Sequence, residues 1–142
     1  MNMVGKWKVV EVPVVTEQGL KYISLQEKIN MCESEDEKSG LVMMAEMVME
    51  FYENGKALTY VGLPENMSED ELLDAIERGM KVTEDHKAMI FEEHDWREEN
   101  GEVFFDTKVE GETSGEIVSS WQKLQEDENG LVTIMMSKFV RV

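Results

Sequence analysis

Cysteine is almost absent from this sequence: Cys32 is the only one among 142 residues. A single thiol excludes an intramolecular disulfide and is typical of proteins in a reducing compartment. The neighbouring carboxylates of Glu33 and Glu35 disfavour the thiolate, which is the opposite of what a nucleophilic cysteine needs. We therefore expect Cys32 to be a buried or bystander thiol.

Long apolar runs are missing as well. No stretch of about 18 apolar residues occurs, the length that a membrane-spanning helix needs. The N-terminus has no basic region followed by an apolar segment and a small-residue cleavage site. These absences predict a cytoplasmic protein with no membrane insertion.

Positive charge is scarce, with 14 basic against 31 acidic side chains and a formal net charge of -17. The summed field of such a chain repels phosphate backbones and anionic lipids, so we expect no nucleic-acid partner. The acidity is explained by solubility alone, or by steering of a basic partner or cationic ligand. Composition leaves both explanations open.

Catalytic motifs are lacking too: the sequence has no nucleophile elbow, phosphate loop, cysteine pair or zinc helix motif. In a strand, Glu92 can converge only with His94, and Glu93 only with Asp95. Such carboxylate runs are usually solvated, so we assign no catalytic residue, no metal ligand and no cofactor. A haem site would need His94 or His86 in a pocket as the axial ligand. An enzyme would need one of these histidines in a pocket next to a carboxylate.

Three Asn-Gly pairs, which begin at Asn54, Asn100 and Asn129, are the clearest structural signal present. Asn-Gly readily adopts the positive φ angles of a type I′ turn and marks the tip of a β-hairpin. The predicted hairpins pair residues 47–53 with 56–63, 87–97 with 102–109, and 116–124 with 131–142. A turn over residues 111–115 joins the second hairpin to the third.

Two further strands are predicted over residues 6–15 and 80–84, which makes about eight in up-and-down order. An open sheet of this size has two unprotected edges, and closure into a barrel removes both. The length suits one domain. We therefore predict a single, mainly β domain over residues 1–142, an antiparallel barrel with one or two short helices.

Helical signals are confined to two segments. Ser68 and Glu71 form a capping box, and Gly79 ends the helix that follows. Residues 17–45 are ambiguous between a helical lid and irregular structure, with an exposed acidic loop expected over residues 32–40.

Gly5-Lys6-Trp7 near the start and Arg141 near the end resemble the Gly-x-Trp motif and late arginine of the calycin superfamily, the lipocalins and fatty-acid-binding proteins. The resemblance implies that Trp7 closes one end of the barrel and Arg141 packs across it. It also implies a small hydrophobic ligand inside the barrel and matches residues 17–45 to a helical lid. The sequence departs from the family pattern in two ways. It lacks the second lipocalin motif, a turn of the Thr-Asp-Tyr type, and it has a helix after Ser68 where neither family normally has one.

Strand alternation places one set of side chains inside such a barrel. The ligand-binding candidates are Met47, Met49, Phe51, Thr59, Met89, Phe91, Phe105, Thr107, Ser119, Trp121, Met135, Ser137 and Phe139. Mixed Met, aromatic and hydroxyl side chains suit an apolar small molecule, which requires a cavity above about 300 Å³. The alternative is an interior filled by its own side chains.

The last predicted strand is apolar on both faces. The residues opposite the inward set are Val132, Ile134, Met136, Lys138 and Val140. Either a helix or a partner subunit covers them, as in a homodimer, or the inward assignment is reversed there.

The leading functional hypothesis is non-enzymatic binding of a small hydrophobic ligand in the barrel. The alternative is a protein-interaction module that uses the same scaffold without an internal ligand.

Overall fold

Strands dominate the computed structural model, which describes residues 1–110 and 116–142. Three helices occur in these ranges: α1 Leu25–Met31, α2 Glu35–Glu46 and α3 Glu69–Glu77. The strands are β1 Gly5–Thr16, β2 Gly19–Ser24, β3 Val48–Phe51, β4 Lys56–Gly62, β5 Ala88–Glu99, β6 Glu102–Asp106, β7 Val109–Glu110, β8 Ile117–Val118, β9 Trp121–Lys123, β10 Val132–Ile134 and β11 Ser137–Arg141.

Eight antiparallel strands form a nearly closed barrel in the order β10, β11, β1, β3, β4, β5, β6, β9. The last gap, between β9 and β10, is bridged by the Gln122 side chain. Its amide donates to the Thr133 carbonyl at 3.2 Å and accepts from the Met135 N–H at 3.0 Å. The predicted fold class is confirmed, and the architecture fits a calycin-like barrel.

One part of the interior is filled by side chains. Phe51 lies at its centre, with ring centroids 5.6 Å from Trp96 and 5.9 Å from Phe105. The buried cluster comprises Met3, Trp7, Met49, Phe51, Ala57, Trp96, Val103, Phe105, Leu124, Val132, Ile134 and Phe139. Burial of this apolar surface is the main source of stability.

Residues 17–45 resolve into regular structure. Strand β2 pairs with β1, α1 follows directly, and α2 begins at Glu35 within the segment expected to be an acidic loop. That expectation is wrong because Ser34 caps the helix, accepting from the Glu37 N–H, and three acidic residues in the first turn favour its positive dipole end. A second apolar cluster, built on Val12, Leu25 and Ile29, lies beneath α1 and α2.

Helix α3 is the helix predicted from the capping box. The Ser68 hydroxyl accepts from the Glu71 N–H at 3.1 Å, and Gly79 follows the helix at φ +107°. None of its residues is fully buried. Within the described ranges, no helix has the length and apolar character needed to cross a bilayer.

The strand predicted over residues 80–84 does not form. Only Val82 makes a single bridge, to Met89, because the Asp85 carboxylate accepts from the Thr83 hydroxyl and the Lys87 N–H and turns the chain. His86 sits in this turn at φ 57°. The turn predicted over residues 111–115 lies outside the described residues.

The segment 131–142 is two strands rather than one. Met135 and Met136 adopt φ 48° and 73° and form a two-residue turn between β10 and β11. Because of this turn, the inward-facing side chains are even-numbered in β10 and odd-numbered in β11. Val132 and Ile134, which were expected to face outward, are therefore 0 % exposed in the core. The apolar face that suggested a homodimer is therefore not a surface patch.

Met136→Asn is expected to stabilise the fold by about 0.5 kcal/mol, because asparagine tolerates the left-handed conformation better than methionine does. Met136 is 60 % exposed, so little burial is lost. Urea denaturation measures the change. Met43→Asn, at a 47 % exposed position in α2, is the control and should destabilise slightly. Equal effects of the two variants would contradict the prediction.

Candidate functional site

Trp7 and Arg141 lie together where the first strand meets the last. Trp7 is 4 % exposed, and the Arg141 guanidinium carbon is 4.6 Å from its ring centre. The indole N–H donates to the Met3 carbonyl at 2.8 Å, while Arg141 donates to the carbonyls of Val4, at 2.7 Å, and Asn2. This contact joins the two ends of the chain.

Gly5 is required by the same contact. A Cβ added there would lie 2.5 Å from the Arg141 Nη1 atom, and its φ of +130° is one that L side chains rarely adopt. The glycine of the Gly-Lys-Trp motif therefore provides both the space and the backbone conformation that the stacked guanidinium needs.

A cavity of about 180 Å³, open to solvent on one side, lies between the barrel strands and helix α2. It is lined by Val9, Met44, Met47, Met49, Thr59, Glu92, Ile134, Met135, Ser137 and Phe139. Glu92 and Met135 are exposed, so the mouth lies beside them. The volume is below the roughly 300 Å³ that the expected ligand pocket requires, so that expectation is not met. It is comparable with the about 150 Å³ cavity that holds benzene, which restricts a guest to that size.

Six of the predicted interior residues line this cavity: Met47, Met49, Thr59, Met135, Ser137 and Phe139. Two more, Phe51 and Phe105, are 1 % and 0 % exposed and lie in the packed core instead. The interior candidates thus include six of the ten residues that line the cavity. They do not include Val9, Met44, Glu92 or Ile134.

Phe91 and Met89 are not part of the cavity wall. Strand β5 carries one extra residue, since Tyr60 pairs with Ile90 while Thr59 pairs with Glu92. Phe91 is the unpaired residue of this bulge and is 40 % exposed. Glu92 lies on the cavity side because it pairs with Thr59 and alternates with the buried His94 along β5.

The remaining three candidates lie outside the cavity. Trp121 is 39 % exposed and stacks under Arg97, whose guanidinium carbon is 4.3 Å from the ring. Ser119 is exposed and hydrogen-bonds to Asp106. Thr107 donates its hydroxyl to the Ser120 carbonyl at 2.9 Å. The inward assignment of Trp121 and Ser119 is wrong because β9 begins only at Trp121, after an irregular segment.

Thr59 is the polar side chain buried in the cavity wall. It is 5 % exposed, and its hydroxyl has no hydrogen-bond partner among the residues that the structure describes. A buried hydroxyl left unpaired costs about 1–3 kcal/mol. The hydroxyl oxygen is itself fully buried, so it does not face the open space of the cavity.

His94 supports the mouth of the cavity without lining it. The ring is 4 % exposed, with Nδ1 2.8 Å from the Asp106 carbonyl oxygen and Nε2 3.0 Å from the Glu92 carboxylate. Both nitrogens are engaged, so the ring positions Glu92 rather than facing a substrate. His86 is exposed in its turn.

An open groove of about 840 Å³ lies on the outer face of β3, β4 and β5. The Tyr52 and Tyr60 hydroxyls both donate to Glu50, at 3.0 and 2.7 Å. Partial burial and the Glu50 carboxylate raise the pKa of Tyr52 to about 12. Lys56 pairs with Asp95 at 2.6 Å. These side chains already pair with one another.

Within residues 1–110 and 116–142, no three His, Cys, Asp or Glu side chains are grouped closely enough to hold a metal ion. The chain matches no family model, no curated protein and no solved structure. What the protein binds must therefore be argued from its cavity.

Proposed function

We propose that the protein binds a small, mainly apolar molecule in the cavity next to helix α2, without chemistry, as a lipocalin-like or fatty-acid-binding-like barrel. The observation that supports this function is an apolar cavity of about 180 Å³ lined by four methionines, with the unpaired hydroxyl of Thr59 buried beside it. Core packing normally avoids both features, since voids and unpaired polar groups each cost stability. The single Cys32 supports a reducing, cytoplasmic setting.

Methionine gives the cavity its adaptability. Met44, Met47, Met49 and Met135 line it, from α2, the residue after α2, β3 and the β10–β11 turn. Methionine is unbranched, fills irregular spaces and makes favourable sulfur–aromatic contacts. The wall can therefore adjust to an aromatic guest of roughly benzene to indole size.

Helix α2 is the weakly packed side of the cavity, opposite its strand walls. It has no fully buried residue, and Leu41, Met44 and Ala45 attach it to the cluster beneath. Gly40 lies in its interior, where glycine weakens a helix by about 1 kcal/mol relative to alanine. An element held by so few buried contacts opens locally at low cost, which admits a guest without unfolding the barrel.

Toluene should bind saturably, with a dissociation constant of about 0.1–1 mM, as expected for a ligand of this size. In protein labelled at the methionine methyl groups, NMR should show shifts at Met44, Met47, Met49 and Met135. Exposed Met31 and Met136 should not shift.

Ser137→Leu is the control, because a leucine at this half-buried lining position fills part of the cavity. It should abolish toluene binding while the circular dichroism spectrum stays that of the wild type. Unchanged methyl spectra of the wild type at saturating toluene would refute the proposed function, as would equal binding by Ser137→Leu.

A further inference from the structure

The three Asn-Gly pairs are chemically labile as well as structural, since asparagine is among the thermolabile residues. The backbone nitrogen of the glycine can attack the side-chain carbonyl of the asparagine, because glycine has no side chain to hinder the approach. The reaction needs a glycine N–H that is free and an asparagine side chain that can turn towards it. The three pairs differ in both respects.

The first pair is held at both reacting groups. The Gly55 N–H donates to the Tyr52 carbonyl at 3.2 Å, and the Asn54 Oδ1 atom accepts from the Lys56 N–H at 3.0 Å. The Gly55 carbonyl in turn accepts from the Trp96 N–H at 3.0 Å. Attack at Asn54 therefore requires that both the glycine N–H and the asparagine side chain leave their partners.

The third pair is held at the glycine. The Gly130 N–H donates to the Asp127 carbonyl at 3.1 Å. The Asp127 carboxylate accepts from the N–H groups of Asn129 and Leu131, at 2.9 and 3.0 Å. Because these bonds fix the backbone on both sides of the pair, attack at Asn129 requires the Gly130 hydrogen bond to break.

The second pair, at the tip of the β5–β6 hairpin, has neither restraint. Among the described residues, the Gly101 N–H has no acceptor and the Asn100 side-chain amide has no hydrogen-bond partner. Both residues are exposed, whereas Gly55 and Gly130 are half-buried. No atom lies within 4 Å of the position that a Cβ of Gly101 would take, so the tip is open to solvent.

We propose that Asn100 is a modification site, at which the protein deamidates spontaneously with water as the co-reactant. The Gly101 nitrogen forms a bond to Cγ of Asn100 and gives up its proton. The bond from Cγ to Nδ2 breaks, and the amide nitrogen takes up a proton and leaves as ammonia. Water then opens the succinimide ring at either carbonyl, which yields aspartate, or isoaspartate with the main chain running through the former side chain.

Both products change the tip of the hairpin. Each adds a negative charge where Glu98, Glu99 and Glu102 are already exposed. Isoaspartate also lengthens the main chain by one carbon in the two-residue turn that sets the pairing of Glu99 with Glu102. The modification thus acts on the β5–β6 register and is independent of any ligand in the cavity.

Peptide mass spectrometry of native protein, incubated in mildly alkaline buffer made with heavy-oxygen water, tests the proposal. Each event incorporates one solvent oxygen, which separates it from deamidation during sample preparation. Asn100 should react about fivefold or more faster than Asn129, the factor that corresponds to one hydrogen bond. Asn54 should be the slowest. In urea-denatured protein the three rates should converge, because the folded contacts are gone.

Asp127→Ala tests the cause of the difference. It removes the carboxylate that holds the backbone around Asn129, so the rate there should rise towards the rate at Asn100. Asn54 is the internal control, since its rate rises only if the variant unfolds more often as a whole. An unchanged Asn129 rate in this variant, or a rate at Asn100 in the native wild type no higher than at the other two pairs, would overturn the proposal.

Discussion

Gly5→Ala should destabilise the fold by about 3 kcal/mol, a large effect for the addition of one methyl group. The φ of +130° is strained for any L residue, which costs roughly 1–3 kcal/mol. The new Cβ would also meet the Arg141 guanidinium at 2.5 Å. Displacing that group loses its stacking on Trp7 and charge-assisted bonds that each contribute about 1.5–3 kcal/mol.

Urea denaturation of four variants tests this account: Gly5→Ala, Gly40→Ala, Arg141→Ala and the double variant Gly5→Ala/Arg141→Ala. Gly40→Ala is the matched control, since the helix interior there has an ordinary backbone and no atom within 4 Å of the new Cβ. It should stabilise by about 0.5–1 kcal/mol. In an Arg141→Ala background the cost of Gly5→Ala should fall, because only the backbone strain remains. An equal cost in both backgrounds would show that the guanidinium contact plays no part.

The barrel was predictable because local turn chemistry and strand alternation agree over most of the chain. Asn100 and Gly101 form the expected turn, with φ of 52° and 79°. At the other two Asn-Gly pairs only the glycines, Gly55 and Gly130, have positive φ. The hairpin at Gly55 forms from β3 and β4, but the hairpin predicted at Gly130 is wrong, because β9 pairs with β6 and β10 with β11, and only Glu126 bridges to Val132. Short connections then fix the neighbours in the sheet.

The turn at Met135 and Met136 was not predictable from local sequence. Methionine carries no turn signal, and its positive φ values are stabilised by contacts distant in sequence, including the Gln122 side chain. At this turn, and at the bulge at Phe91, the inward-facing side chains change between odd and even positions. Simple alternation along each strand therefore located only part of the cavity. The turn and the bulge both depend on contacts with residues distant in sequence, which the local sequence does not reveal.

Helices α1 and α2, in contrast, left a sequence signal that was missed. The Ser-x-x-Glu pattern that located α3 at Ser68 also occurs at Ser24 and Ser34, and in all three the serine side chain accepts from the backbone N–H three residues on. Read consistently, this pattern predicts the starts of α1 and α2, and with them a helical cover that includes Met44. The unpaired state of the Thr59 hydroxyl, by contrast, depends on the whole surrounding wall.

Asp106→Ala should cost about 3 kcal/mol, because a buried carboxylate holds together two segments separated in sequence. The side chain is 1 % exposed, and Oδ1 accepts from the Lys108 N–H at 3.0 Å and the Ser120 N–H at 2.9 Å. Alanine leaves both donors without this acceptor, at about 1–3 kcal/mol each when buried. Asp106→Asn keeps an acceptor oxygen and should cost roughly half as much.

The effect of Asp106 should depend on pH. Burial alone raises the pKa of Asp106, but the Ser120 and Lys108 N–H groups, the Ser119 hydroxyl and the Lys108 charge lower it by more, so the net shift is downward. A carboxyl whose pKa is lower in the folded than in the unfolded state stabilises the fold above its ordinary pKa of about 3.9. That contribution is lost as the pH falls through the folded-state value.

Urea denaturation of the wild type and Asp106→Asn from pH 7 to pH 3 gives the free energy of unfolding of each protein. The difference between them isolates the contribution of the Asp106 charge from that of the other titrating groups. Asp85 and Asp127 also have lowered pKa values and are present in both proteins, so their effects cancel in the difference. The stability gap should be constant near neutral pH and should narrow below about pH 4, where the wild-type carboxyl takes up the proton. A gap that stays constant throughout would mean that Asp106 acts by shape and hydrogen bonding alone, without its charge.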